Sequence, residues 1–114
     1  MPKIRNIHIN RLQPIQTTLD LTTIQIYSNL DPKLHKFPLP EIWENDNEYL
    51  LADGHHKTYV KYLKNKLIIP IMIHNKKDSN LYSSAYDYAL EEIIKRSQKT
   101  KKQGIFHIKD LKLS

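Results

Sequence analysis

The sequence contains no cysteine, which excludes thiolate chemistry, a disulfide framework and a cysteine-ligated zinc site. It also lacks a long hydrophobic run. The longest, Leu67-Ile68-Ile69-Pro70-Ile71-Met72-Ile73, is far too short to span a bilayer and reads as a buried strand. The first residues, Met1-Pro2-Lys3-Ile4-Arg5-Asn6, carry no apolar core of signal-peptide length. No membrane partner is expected, and the expected compartment is cytoplasmic. Repeats, low-complexity stretches and an interdomain linker are absent as well. The 114 residues therefore read as a single domain, 1–114, able to bury roughly two thirds of the surface its unfolded chain exposes.

Positive charge is present in excess. The chain has 18 Lys and Arg against 12 Asp and Glu, a formal net charge of +6. That favours polyanionic partners such as nucleic acid, nucleotides or phosphorylated substrates, although lysines spread over solvated faces account for the same excess. The run Lys99, Lys101, Lys102 offers candidate nucleic-acid contacts. The plainer account is a helix end complementing its own dipole.

Hydrophobic periodicity outlines the elements. Ile4, Ile7 and Ile9 alternate as in an early strand, and Leu12-Gln13-Pro14-Ile15 breaks it, since Pro14 has no ladder donor. Thr22 or Thr23 can cap a short helix that buries Ile26, Leu30 and Tyr27 and ends at Asp31-Pro32. Residues Lys33 to Pro40 read as a loop. Strands at Glu41–Glu44 and Glu48–Ala52 flank Asn45-Asp46-Asn47 as a hairpin. Asp53 is the expected N-cap of a helix from Gly54 to about Lys64, with Tyr59, Val60 and Leu63 on its buried stripe. The strand Leu67–Ile73 follows, and strand, helix, strand suggests parallel pairing by a right-handed crossover. Tyr82, Ala85, Tyr86, Ala89, Leu90, Ile93 and Ile94 mark an amphipathic helix capped by Ser83 or Ser84, and Ile105-Phe106-His107-Ile108 reads as a last strand.

One junction carries chemistry. A strand ending at Ala52 runs into Asp53-Gly54-His55-His56-Lys57 and then a helix. The first turn of a helix leaves its N–H groups unpaired, and the macrodipole adds about half a positive charge there. Gly54 lets an anion approach the backbone, Lys57 adds a full charge, and two imidazoles add donors or proton carriers. Together they make a phosphate cradle. The bland alternative has Asp53 as a simple cap and both histidines exposed.

The runs Leu39-Pro40-Glu41-Ile42, Tyr49-Leu50-Leu51-Ala52-Asp53-Gly54-His55-His56-Lys57-Thr58 and Ile69-Pro70-Ile71-Met72-Ile73 resemble the core of the ParB/sulfiredoxin superfamily. Leu12-Gln13-Pro14-Ile15-Gln16 resembles the short Pro-containing loop after its first strand. The resemblance covers about residues 3–75 and leaves the C-terminal helix and strand, 80–111, as an extension. It implies an α/β (mixed α+β) fold, a small mixed β-sheet with helices packed on it. In that superfamily the junction is a box opening on glycine and ending in a basic residue: G-E-R-R in partition proteins, G-C-H-R in sulfiredoxins, D-G-H-T-R in free-serine-kinase-like members. Here Gly54 matches the glycine, His55 the kinase-like histidine and His56 the sulfiredoxin histidine, while Lys57 replaces the arginine. The resemblance implies nucleotide phosphates held by Gly54, His55, His56, Lys57 and Thr58, with His55, His56 and Asp53 the candidates for catalysis.

The departures matter. His55 stands where a sulfiredoxin has its cysteine, so that activity is excluded. Lysine does not reproduce the bidentate fork of arginine. No helix-turn-helix follows, as it would in a full partition protein. The kinase-like branch implies an acidic base after the first strand, where this chain has Pro14-Ile15-Gln16-Thr17. Gln16 is no base, so Asp20, Glu41 or a histidine would have to substitute.

Adjacent His55 and His56 point about 100° apart on a helix and do not chelate one ion, and His74 and His107 join them only if the topology brings them there. No dedicated metal site is expected, and Mg²⁺ would arrive with a nucleotide. Tyr49 and Tyr59, flanking the box, are the better candidates for base stacking; Tyr82, Tyr86 and Trp43 are at packing positions. Three readings follow: a nucleotide- or phosphate-binding protein, active or not in phosphoryl transfer or NTP hydrolysis; a ParB-like DNA-binding protein or nuclease; or a non-catalytic interaction module, whose Tyr82–Ile94 stripe could also serve a homodimer.

Overall fold

The computed structural model describes residues 3–31, 38–75 and 83–114, with only the backbone for 83–89. In chain order the elements are β1 (Lys3–His8), β2 (Leu12–Pro14), β3 (Thr18–Leu19), α1 (Leu21–Asn29), β4 (Glu41–Asn45), β5 (Glu48–Asp53), α2 (His55–Leu63), β6 (Ile68–His74), α3 (Ser83–Lys102) and β7 (Lys112–Leu113). Five strands form one sheet in the order β1-β6-β4-β5-β2, and β3 pairs with β7. β1·β6 and β4·β5 are antiparallel, β4·β6 and β2·β5 parallel. The expected mixed α+β class is the one observed. Among the described residues no helix is long and apolar enough to cross a membrane.

The β4–β5 hairpin forms where Asp46 and Asn47 take φ of 46° and 66°, the left-handed pair that a two-residue hairpin turn requires and that Asn and Asp tolerate. β6 then lands elsewhere than expected. It runs parallel to β4, not to β5, because β5 already has a neighbour on each edge, β4 and β2. Helix α2 therefore crosses the hairpin and delivers β6 to the far edge of β4. Pro70 is tolerated within β6 because the β4 ladder begins only at Met72.

Other expectations are corrected. Leu12–Pro14 is a strand, not a break; β2 lies at the sheet edge, where a proline costs no ladder bond. The cap of α1 is Asp20, not Thr22 or Thr23. Its Oδ2 accepts from Thr23 N at 2.9 Å and Thr23 Oγ1 at 2.6 Å. Starting there, the helix buries Ile24, leaves Ile26 54% exposed and keeps Tyr27 packed on the core. In α2, Val60 is buried and Tyr59 packs on the core, but Leu63 is exposed. The last strand is not Ile105–Ile108. Ile105, Ile108 and Leu111 are all buried, and this spacing of three suits the 3₁₀ turn at Ile108–Asp110 rather than alternation. Asp110 Oδ2 holds the turn, accepting from Phe106 N and His107 N at 3.0 Å each.

The main core lies between one sheet face and α1, α2 and the C-terminal turn: Ile7, Ile42, Leu51, Ile71 and Ile73 meet Ile24, Val60 and Ile108. On the other face Gln13 stands opposite Leu50 in register, toward α3, which buries Leu90, Ser97 and Thr100 among its described side chains. The expected side-chain stripe and caps over residues 82–89, and the loop over 33–37, lie outside the described residues.

Candidate functional site

The box sits where β5 ends. Asp53 is not the helix cap, because register with Glu41 holds it as the last residue of β5. The cap is Gly54, at φ 96° and ψ 26°, with no side-chain capping bond. Glycine is demanded there twice. The φ is left-handed, and a Cβ would lie 2.9 Å from Pro40 Cα, closer than backbone can yield. With no side chain capping α2, the backbone N–H groups of His55, His56 and Lys57 have no acceptor among the described residues.

Both imidazoles turn to one loop. His55 is buried, and its Nε2 accepts the backbone N–H of Ile15 at 3.1 Å. Burial, then the neighbouring His56, pushes its pKa down to about 3, so near neutral pH the ring is uncharged with its proton on Nδ1. His56 Nε2 accepts the N–H of Asp20 at 3.0 Å. Their divergence on the helix is thus used to fasten the two ends of the segment 15–20. Across the box, Lys57 Nζ donates to Pro38 O at 3.3 Å. Thr58 is fully buried; its N–H and Oγ1 donate to Gly54 O at 2.9 and 2.8 Å. Its hydroxyl closes the first turn of α2.

No family model matches the chain, and no curated protein matches it. Among solved structures it is similar to protein Atu1540 from Agrobacterium tumefaciens, with a TM-score of 0.53 and 13% identity over 65% of this chain. The likeness is one of fold. This chain spans 39% of that protein's length.

The remaining candidates do not gather at the box. Gln16 Nε2 donates to Thr18 O at 2.9 Å. The Asp20 carboxylate is occupied in capping α1, and the Thr23 hydroxyl and N–H, more than His56, hold its pKa below the ordinary value. Glu41 Oε1 contacts His74 Nε2 at 2.8 Å, with the Trp43 ring 5.5 Å from that imidazole. Tyr49 lies under the Arg11 guanidinium, 4.6 Å away, and both Tyr49 and Tyr59 pack on the core. His107 Nδ1 donates to Asn10 O at 3.0 Å. In the basic run, Lys99 and Lys102 are exposed, whereas Lys101 Nζ donates to Glu48 Oε1 at 2.7 Å. Among the described residues no group of three or more His, Asp or Glu side chains converges on a common point.

Sequence reasoning missed the clasp of His55 and His56 on residues 15–20 and the Glu41–His74 pair. The motif marked the histidines but not what their ring nitrogens meet. The Glu41–His74 contact depends on the parallel register of β4 with β6, which nothing local encodes.

Proposed function

We propose that Gly54–Lys57 is a phosphate cradle and that the protein binds a nucleotide or another phosphorylated ligand there. The observation that carries this reading is the left-handed Gly54, which ends β5 and leaves the first-turn N–H groups of α2 without a capping side chain. Lys57 supplies the charge, and the contacts of the box with Ile15, Asp20 and Pro38 preorganise it. The resemblance of residues 3–75 to the ParB/sulfiredoxin superfamily supports the same ligand class. A magnesium ion would enter on the nucleotide rather than on protein ligands. Of the two box histidines, His56 is the partly exposed one; with its Nε2 accepting from the Asp20 N–H, its Nδ1–H is left as a hydrogen-bond donor for a phosphate oxygen.

The test is a thermal-shift and calorimetric screen of ATP, ADP, CTP and GTP with Mg²⁺, with duplex DNA in parallel. A ligand at a hundred times its dissociation constant adds about 2.7 kcal/mol of stability. Lys57→Gln is expected to weaken nucleotide binding at least about tenfold, since a charge-assisted bond contributes roughly 1.5–3 kcal/mol. Unchanged affinity rejects the cradle. Binding to DNA alone, steeply weakened by salt, would favour a nucleic-acid partner instead.

A further inference from the structure

A second concavity lies at the C-terminal end of α2, away from Gly54. It is a pocket of about 260 Å³ lined by His8, Asn10, Tyr62, Leu67, His107 and Lys109, among others. Buried Ile9 and Ile108 also line it and belong to the main core, so its wall is anchored. No carboxylate lines it.

Its two imidazoles are set by one residue. The backbone N–H of Asn10 donates to His8 Nδ1 at 3.2 Å, and the carbonyl of Asn10 accepts from His107 Nδ1 at 3.0 Å. An N–H only donates and a carbonyl only accepts, so His8 has no proton on Nδ1 and His107 has one. The neutral rings are therefore held in opposite tautomers. His8 presents an Nε2–H donor, and His107 presents an Nε2 lone pair. Neither Nε2 has a partner among the described residues. Lys109, exposed on the pocket wall, adds an ammonium, and Tyr62 adds a hydroxyl. The turn carrying His107 is pinned by Asp110, so the arrangement exists before any ligand arrives. Positive charge crowds the same end of α2: burial, then Lys66 and Lys64, lowers the pKa of Lys61.

We propose that this pocket binds a phosphomonoester or hydrogen-phosphate group. Hydrogen phosphate, or a phosphomonoester in its monoanionic form (second pKa about 6), has anionic oxygens to accept from His8 Nε2–H and Lys109 and a P–OH to donate to His107 Nε2. A carboxylate at neutral pH has no such hydroxyl. The volume falls just below the range of drug-sized ligand sites, roughly 300–1,000 Å³, which suits a phosphate on a small organic group. This site is separate from the Gly54 box and does not depend on it.

The experiment is imidazole ¹⁵N NMR of the full chain near pH 7 during titration with inorganic phosphate, with acetate as the comparison anion. The free protein should show His8 protonated on Nε2 and His107 on Nδ1; the reverse assignment overturns the proposal. Phosphate should then shift the His8 and His107 signals saturably while His55 and His56 stay in place through this binding event. Lys109→Gln, on an exposed side chain that leaves the fold intact, should weaken this response at least about tenfold. An equal response to acetate, an unaltered response in Lys109→Gln, or no change up to tens of millimolar phosphate overturns it. Shifts at His55 and His56 alone overturn it too, and leave the Gly54 cradle standing. If phosphate binds, glycerol phosphate and a 5′-phosphorylated oligonucleotide, each against its unphosphorylated form, distinguish a small metabolite from a nucleic-acid end; a gain with phosphorylation in either supports the site.

Discussion

His55 and Ile15, 40 positions apart, are joined by a hydrogen bond from the Ile15 N–H to the buried Nε2 of the imidazole. A lone pair is required there, so protonation of His55 breaks the bond and places a charge in the core.

A pH dependence follows. The unfolded chain takes up this proton near pH 6.5 and the folded chain only near pH 3. Between those values the unfolded state binds more protons, so stability falls as pH falls, by about 1.4 kcal/mol per unit from this group. Urea unfolding at pH 6.5 and 4.5 should show a loss of roughly 2–3 kcal/mol that is largely missing in His55→Gln, whose amide oxygen also accepts. An identical pH slope in both proteins would refute the assignment. For the same reason His55→Ala is a folding variant and a poor probe of ligand binding.

Gly54→Ala should destabilise the fold by about 2 kcal/mol or more. Alanine at positive φ is strained by roughly 1–2 kcal/mol, and its Cβ would press on the Pro40 backbone at 2.9 Å. Gly104, at φ 81° with nothing within 4 Å of a Cβ, should show only the strain. Chemical denaturation of the two variants side by side separates the contributions.

Gln13 is buried, and its Nε2 lies 2.8 Å from Ile105 O, 3.1 Å from Pro14 O and 3.3 Å from Thr100 Oγ1. Thr100 Oγ1 in turn lies 2.7 Å from Pro14 O. Gln13→Met keeps the volume and removes the donor, so Ile105 O is left without it. The expected cost is about 1–3 kcal/mol, read as a lower urea midpoint; a change under about 0.5 kcal/mol would mean that water replaces the amide.

Ile24 and Ile26 sit two apart on α1 with opposite fates. Ile24→Ala should cost about 2–4 kcal/mol, the loss of buried methylenes plus a cavity, whereas Ile26→Ala at a 54% exposed position should fall within about 1 kcal/mol. Equal losses would show that the helix is rotated from the orientation described.

Several elements were legible because their cause is local. The cluster Asn45-Asp46-Asn47 between two strand-like runs marks a turn, because Asn and Asp tolerate left-handed φ. Gly54 between a strand and a helix marks a tight bend. The apolar run at Ile68–Ile73 is a strand by its own β-branched side chains. Helix phase was less legible: Asp20, Thr22 and Thr23 are all competent caps, and the structure has Asp20 in that place, with Ile24 turned into the core. The C-terminal stretch misled because Ile105 and Ile108 satisfy either a strand or a turn until the core spacing of Ile105, Ile108 and Leu111 is known.

The sequence by itself determined that this chain has no thiol chemistry, a mixed α+β set of elements and a glycine-led basic box before a helix, since these rest on composition, short-range periodicity and steric rules within a few residues. Only the tertiary structure decided that β6 joins β4 rather than β5, that His55 and His56 fasten residues 15–20, and that Asn10 sets the tautomers of His8 and His107. Those outcomes depend on which groups far apart in the chain compete for the same edge, donor or lone pair, and that competition is resolved only when the sheet and its two faces are assembled.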